Sequence, residues 1–474
     1  MKRTLPAGQR FPAGERNLLS RPDSERMGAL DAAFAALAKA VPIPAGHRKD
    51  LPPAVRELSR ILTSERDALA RSYWSAPRLA AAYLYFFLPW NIFRLAWLLP
   101  GLDLPLPPGG RVLDLGSGPL TLPIALWCAR PDLRTIPLSF DCVDVSVQPM
   151  QHGRAVFYAL AGEDSPWRIF LKRSPVEKAL RPARRDVEPS AARGGYDCIM
   201  AGNVLNELCA GGEGNMQSLS GRLEGLTALA HAALVPEGRL FLLEPGTRFG
   251  GTLISLARRG ALQQGFAPLA PCTHDACCPM LESKSWCHFI LPADNAPAAL
   301  RDLSAKARLA KDSLALSCLL LRRTATPVAT PPAGPDSPDG YDDLDGFGEL
   351  EALYAEIMAG DAPPQSRGPY GKNGGKGGKS SRKGANRQAS ESLANEERSG
   401  SIRTRVISAP IRLPGSAEPA RYACCAKGLA LVLDAARVPS GAHVSLPWPE
   451  KEQRDAKTGA LILKKKPRCV HRGA

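Results

Sequence analysis

Apolar and polar residues follow two different periods along this chain, and the change of period divides it into regions. Up to about residue 105, segments such as LDAAFAALAKAV place apolar residues at helical spacing. Beyond that point, short continuous apolar runs alternate with helical segments, which is typical of buried parallel strands joined by helices. We predict strands at five ranges: Arg111–Leu115, Ser139–Val145, Tyr196–Ala201, Arg239–Glu244 and Leu314–Arg322.

This pattern predicts an α/β fold with a doubly wound sheet at 105–323, preceded by a helical N-terminal region at 1–104. Proline, glycine and charged residues dominate 324–400, which is first acidic and then basic. Such a composition predicts disorder, because too little apolar surface could be buried. Alternating apolar residues return at 401–450 and predict a small β module. The last segment, 451–474, is predicted to be a basic tail.

The most apolar run, Tyr83–Pro100, is interrupted by Pro89, Asn91 and Arg94, which favours a buried helix pair over a membrane span. The N-terminus lacks the apolar core of a secretory signal, so we expect no secretion and reduced thiols among the 12 cysteines. The formal net charge is +15, which favours an acidic partner, and nucleic acid is the commonest of these.

In the segment VLDLGSGPL, the predicted strand carries an acid near its end, and a glycine turn follows it. Gly116 and Gly118 would let the backbone approach a ligand at the N-terminus of the next helix. Asp144, at the end of the next strand, is placed to accept hydrogen bonds from a ribose. The spacing departs from the G-x-G-x-x-G of nicotinamide-binding folds. With Asp114 it resembles the D-x-G-x-G of class I S-adenosylmethionine methyltransferases, where this acid orients the amino acid part of the cofactor.

Polar residues also follow the third predicted strand, Tyr196–Ala201. Asn203, Asn206 and Glu207 could face a cofactor or cap the next helix. An Asn-Pro-Pro-Tyr motif for methyl transfer to a base nitrogen is absent from this sequence, so the catalytic residues stay unassigned. The sequence supports cofactor binding better than catalysis, and the alternative is a fold that has lost its cofactor.

The segment PCTHDACCPMLESKSWCH (271–288) concentrates four Cys and two His. Clustered thiolates repel one another and oxidise unless a metal holds them. The tight Cys-x2-Cys knuckle of zinc sites is missing, whereas irregular spacing is compatible with an iron–sulfur cluster; zinc is the alternative. The candidate ligands are Cys272, Cys278 and Cys287, with a fourth from Cys277, His274, His288, Cys424 or Cys425. A fourth ligand from the C-terminal pair would staple the β module to the α/β domain.

Several segments together resemble the methyltransferase-like assembly factors of the small ribosomal subunit. This family occurs in mitochondria and bacteria and includes mitochondrial methyltransferase-like protein 17. The resemblance covers about 50–323 and 401–445. It rests on LTSERDALARSYWSAPRLAAAYLYFFLPWN, VLDLGSGPLTLP, LLEPGTRFGG, APCTHDACCPM and WCHF, of which the last two are the most specific.

The resemblance implies a class I S-adenosylmethionine methyltransferase-like fold that also holds a [4Fe–4S] cluster. The implied cluster ligands are Cys272, Cys278, Cys287 and Cys424; Cys424 is preferred to Cys425 because it stands four residues before Gly428. The glycine turn and the strand ends described above predict Asp114, Gly116, Gly118, Asp144 and Asn203 as the cofactor-binding residues.

The same resemblance implies action on the RNA of the small ribosomal subunit, as an rRNA methyltransferase, an assembly factor or both, in support of translation. A non-catalytic rRNA-binding factor with a vestigial cofactor pocket is the alternative. We expect a monomer with no membrane partner, in the bacterial cytoplasm or, in a eukaryote, in the mitochondrial matrix.

Overall fold

The structure is a computed structural model. It describes residues 17–63, 73–180, 195–209, 216–281, 285–324, 396–413 and 418–464. The insertion predicted at 324–400 lies outside the described residues except at its two ends.

The central domain is built on one sheet of eight strands. These are β1 (Gly110–Leu115), β2 (Leu138–Asp144), β3 (Trp167–Arg173), β4 (Tyr196–Gly202), β5 (Leu234–Pro245), β6 (Phe266–Ala270), β7 (Phe289–Pro292) and β8 (Ser313–Arg323). Their order is β3-β2-β1-β4-β5-β8-β6, and β7 also pairs with β8. Strands β1 to β5 pair in parallel, whereas β8 runs antiparallel to β5, β6 and β7. The chain therefore winds outward from β1 in both directions, with the reversal between β1 and β4.

This strand order, with one antiparallel strand beside β5, is that of the class I S-adenosylmethionine methyltransferase fold. The predicted fold class is confirmed. All five predicted strands are present, as β1, β2, β4, β5 and β8. They were predictable because helices cover both faces of the sheet, so that each strand is a nearly continuous apolar run.

Strand β3 was missed, and its position at the edge of the sheet explains why. Trp167 and Ile169 are buried, whereas Arg168 and Phe170 are exposed. Its exposed residues interrupt the apolar run that identifies the inner strands.

The described helices are α1 (Ser24–Ala40), α2 (Leu51–Thr63), α3 (Pro77–Ala82), α4 (Leu88–Leu98), α5 (Thr121–Ala129), α6 (Val147–Ala161), α7 (Val176–Leu180), α8 (Leu205–Cys209), α9 (Met216–Ala233), α10 (Arg248–Gln263) and α11 (Ala298–Lys306). Helix α1 packs against α5 and α6, and α4 packs against α5. The helical N-terminal region therefore lies on the same face of the sheet as α5 and α6.

The apolar run predicted to be a helix pair forms one continuous helical stretch from 77 to 101, which corrects that prediction. A π-helical turn, Tyr83–Phe87, ends two residues before Pro89, which has no backbone N–H to donate. By length and composition alone this stretch could cross a membrane, but 67% of its most apolar window is buried inside the protein. That burial is typical of a core helix.

A second sheet follows, in the order β12-β9-β10-β11-β13. Its strands are β9 (Ser401–Val406), β10 (Arg421–Cys425), β11 (Gly428–Leu433), β12 (His443–Pro447) and β13 (Leu461–Lys464). Strand β13 lies in the segment predicted to be a basic tail, and this corrects that prediction. Leu461 and Leu463 are buried in the core of the second sheet, so the alternation of LILK is that of a strand.

The second sheet contacts the rest of the chain through backbone and side-chain hydrogen bonds. Leu18 N donates to Gly441 O at 2.9 Å, and Ile290 N donates to Ser440 Oγ at 3.1 Å. These bonds reach from the N-terminal region and from β7, so the C-terminal sheet packs on both.

Candidate functional site

The glycine turn after β1 lies next to the end of β2, as a doubly wound sheet requires. Gly118 N donates to Asp144 Oδ2 at 3.0 Å, and Ser146 N donates to Asp144 Oδ1 at 2.8 Å. Gly116 and Gly118 have φ of 62° and 49°, which favours glycine. A Cβ atom at Gly116 would lie 2.4 Å from Val204 Cγ2, whereas one at Gly118 would meet nothing within 4 Å. Gly116 therefore makes close packing possible, and Gly118 faces open space.

Buried acceptors without hydrogen bonds gather at the carboxyl ends of β1 and β4. Asp114 is 1% exposed, and its Oδ2 has no hydrogen-bond partner among the residues the structure describes. The same holds for Oδ1 of Asn203 and of Asn206. Burial raises the pKa of Asp114 to about 8. Since buried polar atoms in native proteins are nearly always hydrogen-bonded, these acceptors indicate a polar ligand or water at this edge of the sheet.

The start of α8 is held by a residue that the sequence analysis did not identify. Glu244, at the end of β5, is fully buried, and its Oε1 accepts a hydrogen bond from Leu205 N at 2.8 Å. The sequence offered Asn203, Asn206 and Glu207 as possible caps; the structure adds a carboxylate from the neighbouring strand β5. The signal in the sequence was an acid inside an apolar strand, FLLEP.

Aromatic residues of the N-terminal region lie beside the same edge. The rings of Tyr73 and Tyr83 stack with centroids 5.6 Å apart. Burial raises the pKa of Tyr83, and the nearby carboxylates of Glu207 and Asp144 raise it further. The helical N-terminal region therefore covers the edge of the sheet where the predicted cofactor-binding residues lie.

The three predicted cysteines of the segment between β6 and β7 come together with Cys424 of β10. Burial raises the pKa of the Cys424 thiol, and repulsion from Cys278, Cys272 and Cys287 raises it further. Burial also raises the pKa of Cys287, followed by repulsion from Cys272 and Cys278. The four sulfur atoms are therefore close enough to interact, although 137 residues separate Cys287 from Cys424 in the sequence.

The other candidate ligands are directed elsewhere, with one exception. Cys425 is buried in the core of the C-terminal sheet, with Sγ 3.3 Å from Gly428 O. Cys277 is exposed, and His288 stacks on Trp286. The exception is His274, whose Nε2 lies 3.4 Å from Cys424 Sγ.

The four cysteines Cys272, Cys278, Cys287 and Cys424, here called the cysteine site, do not form a preformed metal-ion centre in the described part of the chain. Within the described residues, no three His, Cys, Asp or Glu side chains are arranged to hold a metal ion. Zinc requires sulfur ligands at about 2.3 Å from one centre, so the alternative of a zinc site gains no support. An iron–sulfur cluster distributes its thiolates over several iron atoms and does not require convergence on one point; it stays a prediction.

Two buried arginines contact the cysteine site, and the sequence analysis identified neither. Arg258 of α10 donates from Nε to Cys272 Sγ at 3.2 Å and from Nη2 to His274 O at 2.8 Å. Arg405 of β9 donates from Nε to Pro271 O at 2.9 Å. In the sequence Arg258 stands in a basic pair, ARRG, which is typical of an exposed helix face.

Comparison with known proteins supports the predicted family. The family model for mitochondrial small ribosomal subunit Rsm22 matches residues 215–302. This match runs from α9 into α11 and includes Cys272, Cys278 and Cys287, but not the glycine turn. No curated protein matches the chain at a significant level.

Several solved structures match about half of this chain at low identity and low TM-score. A methyltransferase from Pyrococcus furiosus is 12% identical, with 46% of this chain and 77% of that one covered and a TM-score of 0.26. The cyclopropane synthase MmaA2 from Mycobacterium tuberculosis is 13% identical, with 50% and 83% covered and a TM-score of 0.27. TrmN from Thermus thermophilus is 20% identical, with 52% and 48% covered and a TM-score of 0.25.

The strand order and the family match complement each other. The strand order gives the fold of the central domain, and the family match gives the similarity of residues 215–302. These findings agree with the resemblance expected from the sequence: residues 215–302 are similar to the small ribosomal subunit family Rsm22, and the central domain has the strand order of the methyltransferase fold.

Proposed function

We propose that this protein binds S-adenosylmethionine and acts on the RNA of the small ribosomal subunit, as a methyltransferase or assembly factor that carries a [4Fe–4S] cluster. One observation carries the proposal: the match to a small ribosomal subunit family falls on 215–302, the part of the chain that contains three of the four clustered cysteines. The compartment would follow that of the ribosome, in a mitochondrion or in a bacterial cytoplasm.

The edge of the sheet suits S-adenosylmethionine in its shape and in its hydrogen-bonding groups. The open space at Gly118 would admit the ligand next to the backbone. Asp114 and Asn203 present buried acceptors that the cofactor's amino and hydroxyl groups could satisfy. Asp144 would keep the glycine turn in place and accept from the ribose, since each carboxylate oxygen can accept more than one hydrogen bond.

Bound S-adenosylmethionine would supply a methyl group attached to a positively charged sulfur. The chain's own contribution would be to position the two reactants and to exclude water. Glu244 would hold the loop that carries Asn203 through its bond to Leu205 N. Tyr83 and its aromatic neighbours would close the site on the side of the N-terminal region.

The donor atoms of the cysteine site are cysteine sulfurs, which are the ligands that iron–sulfur clusters use. Four of its sulfur atoms interact with one another and come from two domains: Cys272, Cys278 and Cys287 from the central domain and Cys424 from the C-terminal sheet. The cluster would then join the C-terminal sheet to the central domain, and its binding would contribute to folding.

The positive charge of the chain supports an RNA partner. A formal net charge of +15 favours contact with phosphates, which positions a protein on RNA without reading its sequence. The basic half of the 324–400 insertion, which lies outside the described residues, would add to this contact.

A second candidate, a non-catalytic assembly factor, is favoured by one observation. Gly118 N, the donor that would face a cofactor, already bonds to Asp144 across the glycine turn. A turn whose N–H donor is already hydrogen-bonded within the protein can persist as a structural element without any ligand.

Three measurements on the full chain test the proposal. The first is calorimetry with S-adenosylmethionine, and the second is iron and sulfide analysis of protein purified without oxygen. The third is sedimentation with small ribosomal subunits on a gradient. Binding of the cofactor with methyl transfer to subunit RNA supports the enzyme. Sedimentation with the subunit but no cofactor binding supports the non-catalytic factor, and absence of both association and iron overturns the proposal.

A further inference from the structure

The two arginines at the cysteine site come from different domains and bind the same loop. Arg258 of the central domain holds Cys272 Sγ and His274 O, at 3.2 and 2.8 Å. Arg405 of the C-terminal sheet holds Pro271 O at 2.9 Å and, through Nη1, Gly441 O of its own sheet at 2.8 Å. The loop that carries Cys272 therefore accepts hydrogen bonds from both domains.

Both guanidinium groups are removed from water. Arg258 is 2% exposed and Arg405 is 8% exposed. A guanidinium group keeps its positive charge at any physiological pH. Burying such a charge is costly unless an anion or several acceptors compensate for it. Arg258, whose acceptors are the Cys272 sulfur and the His274 carbonyl, therefore indicates where negative charge is expected in the working protein.

The nearest groups that could become anions are cysteine sulfurs. The charge of Arg258 interacts with Cys272, Cys278 and Cys424, and that of Arg405 interacts with Cys272, Cys287 and Cys424 among others. No carboxylate in the described part of the chain lies within ion-pair distance of Arg258. Arg258 thus has sulfur, rather than carboxylate, as its counterpart.

We propose that Arg258 and Arg405 are charge-compensating residues of the iron–sulfur cluster, which set its reduction potential and couple its binding to docking of the C-terminal sheet. This inference rests on the proposed function, since it requires the cluster. An oxidised [4Fe–4S] cluster with four thiolate ligands carries a net double negative charge, and one-electron reduction adds another. Two adjacent cations stabilise the reduced form more than the oxidised form and so raise the potential.

The hydrogen bond from Arg258 to Cys272 acts in the same direction. A donor to a ligating sulfur stabilises its negative charge, and hydrogen bonds of this kind raise the potential of iron–sulfur clusters. Arg405 makes no hydrogen bond to a cluster cysteine through Nε; it donates to the backbone carbonyl of Pro271, the residue before Cys272. Its charge still acts on the site, while its bonds position the loop.

The test is a reductive titration of the full chain with dithionite, followed by electron paramagnetic resonance, with iron and sulfide measured on every sample. The variants are Arg258→Gln, Arg258→Lys and Arg405→Gln. Arg421→Gln is the matched control, because Arg421 also lies in the C-terminal sheet and holds backbone carbonyls, at Ala435 and Ser408. Its charge is not among those that act on the four cysteines.

We expect the midpoint potential to shift to more negative values in Arg258→Gln and Arg405→Gln and to stay near the original value in Arg258→Lys and Arg421→Gln. If the glutamine variants lose the cluster while Arg258→Lys and Arg421→Gln keep it, the charge role is likewise supported. Equal potentials in all four variants overturn the inference, as does equal cluster loss in Arg258→Gln and Arg258→Lys. A wild-type protein without iron would instead overturn the proposed function, so the two failures are distinguishable.

Discussion

Nε2 of His274 lies 3.4 Å from Sγ of Cys424, across a sequence separation of 150 residues. Burial and the positive charge of Arg258 lower the pKa of His274 to about 3, so its imidazole is uncharged at neutral pH. The pair joins the cysteine-rich segment of the central domain to β10 of the C-terminal sheet. Contact between the two domains thus passes directly through the cysteine site.

The first prediction distinguishes the two adjacent cysteines of β10. Successive residues of a strand face opposite sides, so Cys424 faces the other thiols and Cys425 faces the core of its own sheet. We expect Cys424→Ser to abolish iron binding and Cys425→Ser to keep it. Cys425→Ser should still destabilise the fold by about 1–3 kcal/mol, because its hydroxyl is buried among apolar residues. Iron content per chain and thermal unfolding measure both effects.

The exposed Cys277 offers a control for this prediction, because Cys277→Ser removes a neighbouring thiol without touching the core. It should retain both iron and stability. Iron loss in Cys425→Ser together with iron retention in Cys424→Ser would contradict the assignment of faces.

The second prediction concerns pH and Asp114. The pKa of this carboxyl group is about 8 in the folded protein, because burial disfavours its charged form, and near 3.9 when unfolded. Between these values the folded state binds more protons, so the free energy of unfolding falls as pH rises from about 4 to about 8. Asp114→Asn should remove this component, and the variant should be more stable than the original protein at pH 9 by roughly 1–3 kcal/mol.

Chemical denaturation at pH 5 and pH 9, each in the absence and presence of S-adenosylhomocysteine, checks the second prediction. The ligand should stabilise the original protein and leave Asp114→Asn nearly unaffected. A stability difference between the two proteins that does not change with pH would show that Asp114 does not titrate in this range.

The fold was largely predictable from the sequence, whereas the contacts within the sites were not. Strand β1 is an apolar run that helices cover on both faces, and such a run can be recognised from the sequence alone. Strand β13 has only four residues and follows a charged segment, so its pairing with β11 was hidden. The local pattern of apolar and polar residues in a strand does not show which distant strand it pairs with.

The cysteine site shows the same limit. The clustering in 271–288 predicted that those thiols are close, because residues near in sequence are near in space. The pattern of residues left Cys424 and Cys425 both open, and only the resemblance to the family favoured Cys424. Which of them faces the central domain depends on the packing of β10, which the local sequence does not show. Arg258 was not identified because a single arginine in an amphipathic helix looks the same whether it faces water or a buried sulfur.

The third prediction compares the two glycines of the turn. Gly116→Ala would place Cβ 2.4 Å from Val204 Cγ2 at a φ of 62°, so it should destabilise the fold by about 2–4 kcal/mol. Gly118→Ala meets no atom within 4 Å and should cost only about 1 kcal/mol of backbone strain. Its methyl group would occupy the open space, so cofactor affinity should fall in this variant although the fold persists. Calorimetry and thermal unfolding separate the two; unchanged affinity in Gly118→Ala would place the cofactor elsewhere.

The last prediction concerns Glu244, whose Oε1 accepts from Leu205 N at 2.8 Å inside the core. Glu244→Ala leaves this buried donor without its partner, which should cost about 1–3 kcal/mol of stability. It should also weaken cofactor binding, since the loop that carries Asn203 would lose its attachment to β5.

Glu244→Gln is the matched control, because its amide oxygen can still accept from Leu205 N at nearly unchanged volume. If Glu244 acts through the loop, Glu244→Gln should recover most of the affinity and stability that Glu244→Ala loses. If instead the negative charge itself contacts the cofactor, Glu244→Gln should keep the stability but lose the affinity. Denaturation and calorimetry on the same preparations therefore decide whether this carboxylate positions the site or belongs to it.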